Sequence, residues 1–202
     1  DGIWKAGNNY SRTWLMGDIN FAVASEEDKR TMLLQYCAFL NSLPTEATVK
    51  ITINNRKLNQ KEFRQTLMLR SKEDNLDAYR GEYNKMLQGK AAATQNMTQE
   101  KYITIAVSRK SIDEARAAFA RIGAELTTNL VKLSATVTEM GTAERLRLLR
   151  DFFRPGDTQD TEINIRDFMR RGHNFKDAVC PDSMQFRADH FEMDGKVGRV
   201  LF

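Results

Sequence analysis

The sequence Lys101-Tyr102-Ile103-Thr104-Ile105-Ala106-Val107 is the part of the chain from which the fold can be worked out. Apolar side chains alternate with the others at positions 103, 105 and 107, and such alternation predicts a half-buried β-strand. Ser111 and Glu114 follow at the spacing of a capping box, in which each side chain binds the other residue's backbone amide. The stretch therefore opens as a strand and continues as a helix.

The predicted helix has one continuous apolar face. Its apolar residues recur at spacings of three and four: Ile112, Ala115, Phe119, Ile122, Leu126, Leu130 and Leu133. This spacing predicts a stripe that faces a core for about six turns. A second strand is predicted at residues 135–139, and a shorter helix after Gly141 carries Leu146, Leu149 and Phe153 on one face. Strand, helix, strand and helix in this order predict a layered α+β unit.

The segments before residue 101 supply further strands and helices. A hairpin is predicted at residues 3–16, a helix capped by Ser25 at residues 25–42, and a strand at residues 48–54. A short helix is expected around residues 60–66, and a longer one at residues 74–88 is followed by a polar loop at residues 89–99. The longer helix is expected to turn one apolar face toward the core: Leu76, Tyr79, Tyr83, Met86 and Leu87. After residue 154, Asp194-Gly195 predicts the turn of a final hairpin.

These elements predict an α+β fold. It consists of a mainly antiparallel sheet with helices packed on one face, a ferredoxin-like split βαβ element, and N- and C-terminal β-hairpins. The core is expected at residues 1–154, a linker at 155–182 and the terminal hairpin at 183–202. Because Asp1 directly precedes a predicted strand, we interpret residues 1–202 as a segment cut from a longer protein. An unpaired final strand would present an exposed edge.

Composition and motifs narrow the function classes. The 202 residues carry 31 basic and 27 acidic side chains, which indicates a mixed surface more than a dedicated nucleic-acid binder. A P-loop motif is missing, and His173, Cys180 and His190 do not have the spacing of a zinc site. Cys37 lies in an apolar helical pattern, so we expect a buried free thiol. No cofactor, metal or catalytic residue is predicted in this stretch, and neither a signal peptide nor a membrane span is visible in it.

Two clusters of arginine are the candidate binding residues. Arg147, Arg150 and Arg154 recur at spacings of three and four on one predicted helix, and the second cluster is Arg166, Arg170 and Arg171. Both clusters can be solvated faces, with Glu144 and Asp151 partly neutralising the first. The functional alternative is that they bind an acidic protein partner, lipid headgroups or nucleic acid.

Several short segments, taken in order, carry a family resemblance. They are Asp1-Gly2-Ile3, Trp14 with Asp18-Ile19-Asn20, Glu27-Asp28-Lys29, Phe39-Leu40-Asn41-Ser42-Leu43, Tyr79-Arg80-Gly81-Glu82-Tyr83 with Met86-Leu87, Lys101-Tyr102-Ile103-Thr104, Glu144-Arg145-Leu146, Asp151-Phe152-Phe153 and Pro181-Asp182-Ser183-Met184. Together they resemble the N-terminal region of the conjugation ATPases of type IV secretion systems. This is the CagE/TrbE/VirB family, in the TraE-like form of Gram-positive conjugative elements.

The resemblance implies a non-catalytic docking and coupling domain. In such a protein ATP and magnesium are expected in a motor domain beyond Phe202, and the protein is cytoplasmic, at the inner face of the cell membrane. The implied partners are membrane components of the DNA-transfer channel and the motor domain itself. The alternative is a nucleic-acid-binding module that uses the arginine clusters, with Tyr79, Tyr83 or Trp4 as stacking surfaces. A small enzyme of unknown type is a third alternative for the function. A second copy of the chain, in a homo-oligomer, is a further possible partner.

Overall fold

The computed structural model describes residues 2–57, 67–93, 97–154, 170–172 and 174–201. Within them the chain forms five helices, one antiparallel sheet of five strands and one of three, so the predicted α+β fold is confirmed. The elements, in chain order, are β1 Trp4–Ala6, β2 Asn9–Met16, α1 Glu26–Ser42, β3 Thr48–Lys57, α2 Asp77–Ala93, β4 Met97–Ser108, α3 Ile112–Lys132, β5 Val137–Glu139, α4 Thr142–Phe153, α5 Phe175–Val179, β6 Met184–Phe186, β7 Phe191–Met193 and β8 Lys196–Gly198.

The five-stranded sheet contains two interleaved split βαβ units. Its strands follow the order β1-β2-β4-β3, and β5 also pairs with β2. β1 pairs with residues 9–11 of β2 and β5 with residues 14–16, so both lie along the same edge of β2. Helix α3 connects β4 to β5 across β2, and α1 connects β2 to β3 across β4. The predicted ferredoxin-like split βαβ arrangement is therefore present, and it occurs twice.

One face of this sheet packs against α1 and α3. Ile103, Ile105 and Val107 point to that side from β4 and are fully buried, as their alternation predicts. Trp14 of β2 packs against Phe119 of α3 with a ring-centroid distance of 6.3 Å. The α3 stripe is buried at Ala115, Phe119, Ile122, Leu126 and Leu130, whereas Ile112 at the start of the helix is 36% exposed. Burial of one such large side chain stabilises the fold by about 1.5–3 kcal/mol, so this layer holds the domain together.

Helix α4 lies against the opposite face of the sheet. Leu15 and Tyr102 point away from the α1 and α3 layer, and they line a cleft together with Leu148 and Asp151 of α4. The prediction placed the helices on one face, whereas the structure has α1 and α3 on one face and α4 on the other. The apolar stripe of a short helix does not reveal which side of a sheet it will cover.

Several local expectations need correction. Residues 89–93, predicted as part of a polar loop, continue α2, and β4 already begins at Met97. Ala91, Ala92 and Ala93 are strong helix formers, which explains why the helix extends past Gly89. Cys37 is exposed, because Met32, Tyr36 and Phe39 occupy the face of α1 that meets the core. The short helix expected around residues 60–66 lies outside the described residues.

The C-terminal region forms three strands instead of one hairpin. Asp194 and Gly195 both have positive φ, 46° and 74°, and form the tight turn expected between β7 and β8. Residues 184–192, predicted as the first arm of the hairpin, are interrupted because the Arg187 amide donates to the His190 carbonyl, 2.8 Å away, which turns the chain between β6 and β7. Helix α5 lies within the segment predicted as a linker, and its Val179 is buried.

Candidate interaction surface

Helix α2 is held by the segment that precedes it. The Asn84 side chain binds the backbone of Leu69 twice, since it accepts from the amide and donates to the carbonyl, each at 2.9 Å. Arg80 forms ion pairs with Asp74 and Asp77. These contacts fix residues 67–76 along one side of α2, so helix and segment form a single unit between β3 and β4.

Asp77 is the centre of the polar contacts at the start of α2. Its carboxylate accepts hydrogen bonds from the Ser71 hydroxyl and from the backbone amides of Lys72, at 3.1 Å, and Glu73, at 2.9 Å. These bonds, with that from Arg80, hold the pKa of Asp77 far below its usual range. The carboxylate is therefore charged at neutral pH and closes the turn that leads into the helix.

The other side of α2 carries an uncovered apolar stripe. We name it the α2 stripe, and it consists of Tyr79, Tyr83 and Met86 on the helix together with Leu76 directly before it. Tyr79 is 69% exposed and Tyr83 is 46% exposed. The prediction that these side chains face the core is therefore wrong. Three large apolar side chains in a row on one helix, with a fourth directly before it, are unusual on a surface that has no binding partner.

A charged cleft lies between α4 and the sheet face that this helix covers. It has a volume of about 150 Å³, and its lining includes Arg56, Glu100, Tyr102, Arg147 and Asp151. Arg56 and Glu100 form an ion pair at 2.9 Å, and the Tyr102 hydroxyl donates to Glu100 at 2.5 Å. Burial, and then this hydrogen bond, raise the pKa of Tyr102 above its usual value. The lining also includes Glu144, so three carboxylates face two arginines, which does not favour an anionic ligand.

The structure distributes the predicted arginine clusters over different environments. Arg147 lines the charged cleft, and Arg150 is half-buried on the same helix. Arg154 bends toward the C-terminal region, where it donates to the Cys180 carbonyl, at 2.7 and 3.0 Å, and to Asp182, at 2.8 Å. Arg170 and Arg171 are exposed, whereas Arg166 lies outside the described residues.

Arg145 is buried, and the sequence analysis did not predict that it has a structural role. It donates to the Gly2 carbonyl at 2.9 Å, to the Ser11 carbonyl at 2.8 Å and to the Ser11 hydroxyl at 3.0 Å. Its guanidinium lies over the Trp4 ring, 4.2 Å from the centroid. Desolvation lowers the pKa of Arg145 to about 10, so the side chain keeps its charge at neutral pH. The sequence did indicate that Arg145 points inward, because it lies four residues before Leu149 and therefore on the apolar face of α4.

Neither a protein-family model nor a curated protein sequence matches this chain. In the part of the chain that the structure describes, no helix has the length and apolar character needed to cross a bilayer. The same residues contain no group of three or more His, Cys, Asp or Glu side chains that could hold a metal ion. The α2 stripe is therefore the surface on which a functional proposal can rest.

Proposed function

We propose that this chain is a non-catalytic docking and coupling module, the N-terminal part of a conjugative-transfer ATPase of the type IV secretion class. In this proposal it binds membrane components of the DNA-transfer machinery at the inner face of the cell membrane, and the motor domain that uses ATP and magnesium belongs to the rest of the parent protein. The order of the resembling segments supports the family. The observation that carries the docking role is the α2 stripe.

The geometry of α2 suits a partner-binding element. Aromatic and large apolar side chains supply most of the energy at protein interfaces, and tyrosine is enriched among them. The contacts to the preceding segment are made by Asp77, Arg80 and Asn84, and not by Tyr79, Tyr83 or Met86, so a partner can reach these three side chains without displacing those contacts. An amphipathic helix that presents its apolar side in this way fits the helix-in-groove type of recognition.

The test compares two double variants of the full-length parent protein. Tyr79→Glu with Tyr83→Glu places charges in the α2 stripe, and we expect DNA-transfer frequency and co-sedimentation with membranes to fall about tenfold or more. The matched control, Ala78→Glu with Lys85→Glu, adds at least as much negative charge on the other side of α2 and is expected to have no effect. ATP turnover should be unchanged in both. Equal effects of the two double variants would refute the docking role of the stripe.

A nucleic-acid-binding module is the second candidate, and the exposure of Tyr79 favours it. Bases stack on exposed aromatic rings, and basic side chains such as those of the arginine clusters contact phosphates. Binding of single- and double-stranded DNA across a salt series distinguishes the two proposals. Affinity that falls steeply with salt, and that is lost in Tyr79→Ala with Tyr83→Ala or in Arg147→Glu with Arg150→Glu, would favour this candidate. Undetectable binding near physiological salt would remove it.

A further inference from the structure

Within the described part of the chain, strand β3 forms an open edge of the five-stranded sheet. It is the last strand in the order β1-β2-β4-β3, and among the described residues it pairs with β4 alone. The strand has 10 residues and contains neither proline nor glycine. Protein edges are usually shortened, bulged or interrupted, because a long free edge offers unpaired backbone groups to another strand.

Two apolar side chains of this edge, Ile51 and Ile53, are exposed, whereas Val49 packs against the core. Ile51 lies opposite Ile103 in the ladder, and both residues point to the side of α1 and α3. Ile103 is fully buried, whereas Ile51 is 44% exposed and Ile53 is 58% exposed. Two β-branched residues in a row on an open edge are a surface that a further strand would bury.

The sequence of the edge is nearly symmetric about Ile51. Residues 49–53 are Val-Lys-Ile-Thr-Ile, so the apolar positions match when the strand is read in either direction. We propose that a second copy of this chain pairs with β3 in antiparallel orientation, with the two-fold axis at Ile51. The two five-stranded sheets then form one continuous sheet. Ile51 lies opposite the second copy's Ile51, and Val49 lies opposite the second copy's Ile53.

The order of apolar and charged residues in β3 favours a two-fold axis at Ile51 over an axis at Thr52 or Ile53. With the axis at Ile51, three apolar pairs form on one face and Lys50 lies opposite Thr52 on the other. With the axis at Ile53, Lys50 would lie opposite Arg56, and directly opposed like charges destabilise a sheet. With the axis at Thr52, Val49 would lie opposite Asn55 and one apolar pair would be lost. A strand from an unrelated partner would not require this symmetry, which is why we infer a second copy.

The first experiment is sedimentation velocity of the 202-residue chain over a concentration series. We expect a monomer–dimer equilibrium with a dissociation constant on the order of micromolar, because the interface is small. Ile51→Lys places two ammonium groups at the axis and should weaken the dimer about tenfold or more. The control is Val197→Lys in β8, which changes an exposed valine of the other sheet and should leave the dimer unchanged.

Cross-linking tests the register itself. In a Cys37→Ser, Cys180→Ser background, Ile51→Cys should form a disulfide-linked dimer under mild oxidation, because each cysteine faces its own copy. Asn55→Cys is the control. In this register the two residues at position 55 lie eight positions apart along the strands, roughly 26 Å at the usual rise, beyond the reach of a disulfide.

Each outcome decides for or against the proposal. A dimer that is weakened by Ile51→Lys and linked at position 51 supports it. A chain that stays monomeric throughout, a dimer that is lost in Val197→Lys but kept in Ile51→Lys, or linking at position 55 instead of 51 would overturn it. Circular dichroism verifies that every variant is folded. The α2 stripe is not part of this interface, so failure here leaves the docking proposal intact, and the reverse also holds.

Discussion

Helices α2 and α3 carry the same kind of sequence pattern and have opposite environments. Both have apolar residues at spacings of three and four. On α3 that stripe is buried against the sheet, from Ala115 to Leu130. On α2 the corresponding residues, Tyr79, Tyr83 and Met86, are exposed. The periodicity of a helix identifies its apolar side, but it does not reveal whether the same chain covers that side.

Topology explains the difference. Helix α3 connects β4 to β5, two strands that run in the same direction on either side of β2, and such a crossover must pass over the sheet. Helix α2 lies between β3 and β4, which are adjacent antiparallel strands. An antiparallel pair needs only a short turn, so nothing obliges the inserted helix to pack on the sheet. The apolar side of α2 is therefore available to another molecule.

The largest expected effect on the free energy of unfolding concerns α3, the helix whose apolar side is buried. Phe119→Ala removes a buried ring that packs against Trp14, and we expect the free energy of unfolding to fall by about 3–5 kcal/mol. Val131→Ala, at an exposed position of the same helix, should change it by less than about 0.5 kcal/mol. Urea denaturation measures both. A small loss at Phe119 would mean that α3 is not the centre of the core.

The next effect concerns Arg145, the polar anchor between α4 and the N-terminal hairpin. Arg145→Met keeps much of the side-chain length but leaves the Gly2 and Ser11 carbonyls without their donor. Buried acceptors without partners should lower the free energy of unfolding by about 2–3 kcal/mol. Arg147→Met, two positions along and exposed, is the control. Equal effects of the two substitutions would contradict the anchoring role.

A smaller effect is expected where α4 meets the C-terminal region. Arg154→Ala removes the donor to the Cys180 carbonyl, and we expect local opening of α5 to become easier by about 1 kcal/mol. Asp182→Asn, which removes only an exposed ion pair, should have a weaker effect. Hydrogen exchange of the α5 amides measures this opening. If the aspartate variant has the larger effect, the ion pair and not the carbonyl contact fastens the segment.

Acid should loosen the start of α2 before it affects α3. Asp77 has a lowered pKa, so its contribution to stability is complete above the ordinary carboxyl pKa of about 4 and is lost as the pH falls through the lowered value. Protection of the Lys72 and Glu73 amides should therefore decrease on acidification while amides in the centre of α3 stay protected. Asp77→Asn should show the loosened state already at neutral pH. No difference between the two helices would contradict a polar attachment of α2.

The parts of the fold that follow from local pattern and crossover geometry were predictable. The strand at residues 101–107, the α3 stripe and the split βαβ unit depend on periodicity and on the way strands are connected. The exposure of Tyr79, the bonding of Arg145 to Gly2 and Ser11, and the bonding of Arg154 to Cys180 were not predictable, because they depend on which distant segment meets each helix. Spacing grouped Arg147, Arg150 and Arg154 on one helix, but tertiary contacts give them separate environments.

The smallest expected effect is the sharpest test of the comparison between the two helices. Tyr79→Ala removes an aromatic ring from a helical stripe, as Phe119→Ala does, yet Tyr79 is 69% exposed and should change the free energy of unfolding by less than about 0.5 kcal/mol. Urea denaturation of the isolated chain measures this value. A loss of more than about 1 kcal/mol would show that the chain covers Tyr79 in solution, and the proposed docking role would then fail, because a stripe already buried within its own chain cannot receive a partner.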